Sequence, residues 1–255
     1  MERLSRLGVK IFADGADFEG ILALYKNPLI RGFTTNPSLM RKAGVEHYED
    51  FARRLVAAAP DRPVSLEVFA DEPREMMRQA EAIASWGQNV VIKIPVTNTG
   101  HVFSGPVIRE LSEAGVAINV TGVMTLEQVR RITHALALGT PAIVSVFAGR
   151  VADTGVDPVP LMAKAVRVLS ERPRVELLWA SPRELLNIFQ ADAVGCHIIT
   201  VTHDLLAKLG LIGKDLEQYS LETVETFYRD AKAAGYSIDI PQPRRVTELA
   251  QRAIS

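Results

Sequence analysis

A lysine in the middle of an aliphatic strand is the first residue in this sequence that needs a chemical reason. In Asn89-Val90-Val91-Ile92-Lys93-Ile94-Pro95-Val96-Thr97, alternation puts Val90, Ile92, Ile94 and Val96 on one face and Val91, Lys93 and Pro95 on the other. Desolvation disfavours the charged form of a buried ammonium, and a neutral amine is a nucleophile that can attack a carbonyl and form a Schiff base. The alternative is a lysine whose stem is buried and whose head reaches solvent at the strand end. Partners on other strands decide between the two. Glu67 lies in the apolar run Val64–Phe69, so it must be paired, hydrogen-bonded or functional. It reads either as the salt-bridge partner of Lys93 or as a general acid/base acting through a water held by Thr121. Asp14 ends another apolar run, and Asp17 fits the N-cap of the following helix better, which leaves Asp14 for chemistry. Asn36, in Thr34-Thr35-Asn36-Pro37-Ser38, offers a donor and an acceptor to sugar-like hydroxyls, with Pro37 ending the strand and Ser38 capping the next turn. For anions, Gly149-Arg150 and Ser181-Pro182-Arg183 supply two guanidinium groups, a hydroxyl and an expected helix N-terminus at residue 182.

These residues recur at equivalent places in a repeated grammar: a β-branched run, a polar cluster at its end, then a charged segment of helical period. The runs are Val9–Asp14, Gly32–Asn36, Val64–Phe69, Asn89–Val96, Val116–Thr121, Pro141–Phe147, Val175–Ser181 and Cys196–Thr202. Between them lie expected helices at 18–26, 48–59, 73–86, 105–114, 125–138, 158–171 and 182–190. Such alternation implies parallel strands with helical crossovers, and this number of units predicts an α/β fold, a single (β/α)8 TIM barrel, over an open doubly wound sheet. Alternation also sorts Asn119 and Thr121 from Ile118 and Val120, and Ser145 and Phe147 from Val144 and Val146. The polar candidates on these strands therefore point to the barrel interior, at the C-terminal strand ends where barrel active sites form. No linker divides residues 1–255, which are read as one domain. Residues 215–255 form a C-terminal helical extension, with helices expected at 215–234 and 244–254, and the chain is expected to be a homo-oligomer.

Composition narrows the function classes. Lys and Arg total 29 against 30 Asp and Glu, a net charge of -1 that provides no basic field for nucleic acid. The single cysteine, Cys196, forms no internal disulfide and no CxxC site. The five histidines show no metal-binding spacing, so no metal and no cofactor are expected, and a metal-dependent aldolase is disfavoured. No apolar run approaches the ~20 residues of a membrane span, and the expected location is cytoplasmic.

Taken together, Asp14, Thr34-Thr35-Asn36-Pro37-Ser38, Glu67, Val91-Ile92-Lys93-Ile94-Pro95, Asn119-Val120-Thr121, Ser145-Val146-Phe147-Ala148-Gly149-Arg150 and Ala180-Ser181-Pro182-Arg183 resemble the transaldolase family. The resemblance implies a class I mechanism in which Lys93 is the nucleophile, Glu67 and Thr121 handle the catalytic water, and Asp14 takes the proton during carbon–carbon cleavage. It implies that Asn36, Asn119 and Ser145 bind dihydroxyacetone hydroxyls and that Arg150, Ser181 and Arg183 bind the phosphate of a sugar-phosphate substrate. Glu67 and Phe147 resemble true transaldolases, whereas the fructose-6-phosphate aldolase branch carries Gln and Tyr there. Free-aldolase activity and a specialised transaldolase making an unusual sugar phosphate stand as the alternatives.

Overall fold

The computed structural model describes Leu4 and residues 6–240. Eight strands, β1 (Lys10–Asp14), β2 (Ile30–Thr34), β3 (Val64–Glu67), β4 (Val90–Pro95), β5 (Ile118–Val123), β6 (Ala142–Val146), β7 (Val175–Trp179) and β8 (Ile198–Thr202), close into a barrel in sequence order. Every neighbouring pair is parallel, including β1 against β8. The chain is a (β/α)8 TIM barrel.

The helices are α1 (Phe18–Tyr25), α2 (Pro37–Lys42), α3 (Tyr48–Ala58), α4 (Pro73–Ala84), α5 (Gly105–Glu113), α6 (Leu126–Ala135), α7 (Ala148–Asp153), α8 (Val159–Leu169), α9 (Leu186–Ala193), α10 (His203–Leu206) and α11 (Leu216–Ala233). Local chemistry starts several of them. Asp17 caps α1 by accepting from the Gly20 N–H, and Thr125 and Gln128 form a reciprocal capping box on α6. The chain divides into two compact units, Met1–Ile212 with the barrel and Gly213–Ser255 with α11. The helix expected at 244–254 lies outside the described residues.

Strand alternation separates two packing layers. Ile11, Leu66, Ile92, Ile94, Val120 and Val144 belong to the main core between barrel and helices. The other face of the strands gives Phe12, Val91, Ile143, Leu178 and Ile198, which form a separate apolar cluster inside the barrel. That inner cluster fills the barrel's middle, as the fold requires of a packed interior rather than a pore.

Three of the boundary differences from the sequence reading bear on the site. β2 ends at Thr34, two residues before the expected Asn36, because the Asn36 side chain accepts from the Leu39 N–H and caps α2 with Pro37 in its first turn. Ser38 is therefore not the cap. β5 runs on to Val123 through Gly122, whose φ of 77° and the register shift between Val120 and Val123 mark an irregularity just after Thr121. The helix expected at 182–190 begins only at Leu186, so Ser181, Pro182 and Arg183 lie in a loop ahead of it.

Candidate active site

The register of three adjacent strands builds the centre of the site. Glu67 on β3 pairs with Lys93 on β4, which pairs with Asn119 on β5, so the three side chains form one row across the barrel. All three are buried, with Lys93 at 7 % and Glu67 at 6 % exposure. The Lys93 Nζ donates to Glu67 Oε1 and, at 2.5 Å, to the main-chain oxygen of Thr35. Thr35 Oγ1 in turn donates to Glu67 Oε2 at 3.1 Å. The head of Lys93 is thus held inside the barrel rather than released to solvent, and the salt bridge foreseen for Glu67 is present.

Burial pushes the Glu67 carboxyl above its ordinary range, against the opposing pull of the Lys93 ammonium. Asp14 is pushed the same way by burial, with Lys93 and the Thr34 hydroxyl pulling back. Two buried carboxyls beside one ammonium cannot all be charged cheaply. Burial therefore favours the protonated, neutral form of both carboxyls over the charged one.

Asp14 sits across the same cavity at the end of β1. Thr34 Oγ1 donates to its Oδ1 at 2.7 Å, Asn36 Nδ2 approaches its Oδ2 at 3.5 Å, and Thr34 and Thr200 hydroxyls meet at 2.5 Å. Because the Asn36 oxygen is committed to the α2 cap, only its amide nitrogen faces the site. Asn119 is held at both ends of its amide: Ser145 Oγ donates to its oxygen at 2.6 Å, and its nitrogen donates to Ser65 Oγ at 3.2 Å. This order fixes the amide orientation and leaves the row rigid.

A cavity of about 310 Å³ is lined by Asp14, Asn36, Glu67, Lys93, Asn119, Thr121, Ser145, Phe147, Arg150 and Ser181. Ten of the eleven sequence-predicted site residues therefore meet in one space. Arg150 projects from α7 with its guanidinium 5.1 Å from the Phe147 ring centre, a cation–π stack at the cavity edge. α7 can pass this close to β7 only through Gly149, where a Cβ would lie 1.5 Å from the Ser181 carbonyl oxygen. Ser181 itself has φ of 57°, a left-handed conformation that a serine adopts at a cost, at a point where the chain turns into the cavity.

Arg183 is the exception. It lines an adjoining space that shares Asp14, Asn36 and Ser181, and its guanidinium forks onto Asp153 at the end of α7, with Nε to Oδ1 at 2.9 Å. That pairing lowers the Asp153 carboxyl, the hydrogen bond from Arg183 being the main cause. Residues to which the sequence reading gave no role of their own are Thr35, Ser65, Thr200, Gly149 and Asp153. Ser65 and Thr200 share the inward parity of Glu67 and of Thr202, so alternation carried a signal for them. The Thr35 contact to Lys93 runs through a main-chain oxygen, which no residue type announces.

A sequence model of the family described as "Transaldolase/Fructose-6-phosphate aldolase" matches residues 11–242. A protein of Dehalococcoides mccartyi named "Probable transaldolase" is 36% identical over 204 residues, 79% of this chain and 90% of that protein. A "Probable transaldolase" of a Thermoanaerobacter species is 31% identical over 231 residues, 90% of this chain and 100% of its own length. Among solved structures, dihydrodipicolinate synthase from Rhodopseudomonas palustris superposes with a TM-score of 0.55 at 14% identity, covering 98% of this chain and 96% of that one, a likeness of fold.

Proposed function

This chain belongs to the transaldolase/fructose-6-phosphate aldolase family, and from that premise we propose that it moves a dihydroxyacetone unit from a ketose phosphate to an aldehyde acceptor through a Schiff base on Lys93. Sedoheptulose 7-phosphate and fructose 6-phosphate are the donors that the reading favours. The observation that carries it is the Lys93–Glu67 pair, buried and facing Asp14 across one small cavity.

Proton exchange within the pair frees the Lys93 amine to add to the donor carbonyl. Glu67, acting through a water beside Thr121, then gives its proton to the departing hydroxyl, and water leaves as the iminium forms. Asp14 takes the proton from the donor hydroxyl as the adjacent carbon–carbon bond breaks. The bond's electrons flow into the iminium and make an enamine, and the shortened aldehyde leaves. An incoming aldehyde is attacked by that enamine, Asp14 returns its proton to the new hydroxyl, and water releases the product from Lys93. Asn119, Ser145 and the Asn36 amide nitrogen bind the hydroxyls of the bound unit. Arg150 and Ser181 hold the phosphate at the cavity edge, with Arg183 joining them when the anion competes with Asp153 for its guanidinium.

Transfer rather than release is favoured by Phe147. An apolar ring at that position of the cavity offers no phenol to orient water for protonation of the enamine, so the intermediate survives until an acceptor arrives. The test measures free dihydroxyacetone and transfer product in parallel, with donor alone and with donor plus an aldehyde acceptor. Transfer product forming much faster than free dihydroxyacetone supports the reading; rapid release without acceptor would make the chain a free aldolase. Phe147→Tyr combined with Glu67→Gln is expected to move the balance toward release.

A further inference from the structure

The barrel has a second built space at its opposite end. It is about 550 Å³, larger than the catalytic cavity, and lies at the N-terminal ends of the strands. About 13 Å of strand separate Lys10 from Asp14 on β1, and the inner apolar cluster of Phe12, Val91 and Ile143 fills the interval. Phe12, Val91 and Ile143 thus form the floor of this lower space. Its walls carry four cations, Lys10, Arg31, Arg62 and Arg174, against two carboxylates, Asp61 and Glu176.

Several of these groups are already engaged. Lys10 is ion-paired with Glu176 at 2.5 Å, Arg174 Nη1 donates to the Gly139 carbonyl at 2.6 Å, and Asp61 accepts from the Tyr25 hydroxyl at 2.7 Å. The lining still carries two more cations than carboxylates, and Asp61 lies close enough to Arg62 to feel its charge. The Arg62 guanidinium stacks 4.4 Å from the Tyr25 ring centre, and its Nη1 is buried with no hydrogen-bond partner. Arg31 is exposed at the rim and has no ion pair among the described residues. A guanidinium with an unfilled donor is costly in a folded protein, and an anion beside the part of the Arg62 side chain that lines the space offsets its charge there.

We propose that the N-terminal mouth of the barrel is a binding site for a small organic anion, a phosphate ester or carboxylate whose head is held by Arg62 and Arg31 and whose apolar body rests on Phe12, Val91 and Ile143. The site is separate from the catalytic one and independent of the reaction assigned to it. A head group alone would be held at the solvent-facing rim, while a ring-sized body reaches the floor and adds apolar burial.

The experiment is titration calorimetry of the full chain with phenyl phosphate, phenylacetate and inorganic phosphate, in an Arg150→Ala/Arg183→Ala background that removes the phosphate grip at the catalytic mouth. The expected result is saturable binding of phenyl phosphate or phenylacetate, at least tenfold tighter than that of inorganic phosphate, and at least tenfold weaker after Arg31→Glu or Arg62→Met. Arg31 is exposed, so its substitution keeps the test open where Arg62→Met fails to fold. Absence of saturable binding of both ring compounds up to millimolar concentration would overturn the proposal. So would binding unchanged by Arg31→Glu and Arg62→Met, or inorganic phosphate binding as tightly as either ring compound.

Discussion

Two lysine–glutamate pairs lie at opposite ends of this barrel, and the same two residue types do different work in them. At the N-terminal mouth Lys10 on β1 meets Glu176 on β7 with side chains 39% and 35% exposed. At the C-terminal mouth Lys93 meets Glu67 with both side chains at 8%. Water solvates the first pair, and such a bridge contributes ~0–1 kcal/mol. Around the second pair water is replaced by the Thr35 carbonyl, the Thr35 hydroxyl and the neighbouring Asp14, and burial raises the Glu67 carboxyl. Burial and partners, rather than the residue types, set the two pairs apart.

The contrast is sharpest under substitution. Lys93→Met should reduce turnover on the order of 10⁴-fold or more while leaving the chain folded, because the carbonyl-attacking group is gone and the Glu67 carboxyl, already raised by burial, can take a proton. Lys93→Arg should fail equally, since a guanidinium stays charged and does not add to a carbonyl. Steady-state assays with circular dichroism check both. Surviving activity in Lys93→Met would erase the distinction between the two ends.

Asp14→Asn should lower turnover by about 10²–10⁴-fold, the range for loss of a general acid/base, and also stabilise the fold at neutral pH. Burial raises the native-state pKa of Asp14 above its unfolded value, so the native state holds the proton more tightly. Stability from this group is therefore greatest below the unfolded value of ~3.9 and is lost as pH rises through the native one. The variant's advantage should show at pH 7 as a rise of about 2–4 °C in Tm per kcal/mol gained, and it should vanish as pH falls toward ~3.9. A lower Tm for Asp14→Asn at pH 7 would contradict the burial argument.

Arg150→Ala should raise KM for phosphorylated donors by roughly 10–100-fold, the loss of a hydrogen bond to a charged group. Arg183→Ala should cost less, because Asp153 already occupies that guanidinium. Asp153→Asn should release it and lower KM. Equal losses for phosphorylated and unphosphorylated ketoses would remove the phosphate role from both arginines. The smallest effect belongs to the lower pair, where Glu176→Gln is expected to change stability by under ~1 kcal/mol and leave kcat unchanged.

Much of this is legible in the sequence. Period-two alternation placed Lys93, Glu67, Asp14, Asn119 and Ser145 on one interior, because a strand's parity is a local property of the chain. What alternation cannot encode is contact between segments and use of the backbone. The Asn36 cap depended on where β2 stopped, and the Arg183 fork onto Asp153 joins residues thirty positions apart, one in a loop and one at the end of α7. The late start of α9 removed the helix N-terminus expected beside Ser181, since Pro182 and Arg183 remain in the loop that Ser181 begins in a left-handed turn. The lower mouth left no signal of its own, because its cations come from strand starts and loops with no shared motif.

The central claim is that the buried amine of Lys93 carries the substrate. Incubation with fructose 6-phosphate and borohydride, followed by peptide mass spectrometry, tests it most directly. The account predicts a dihydroxyacetone-derived mass on the peptide containing Lys93 and none on that containing Lys10, and the label should be absent from Lys93→Met. A label on any other lysine, or no label with any ketose phosphate, would contradict it.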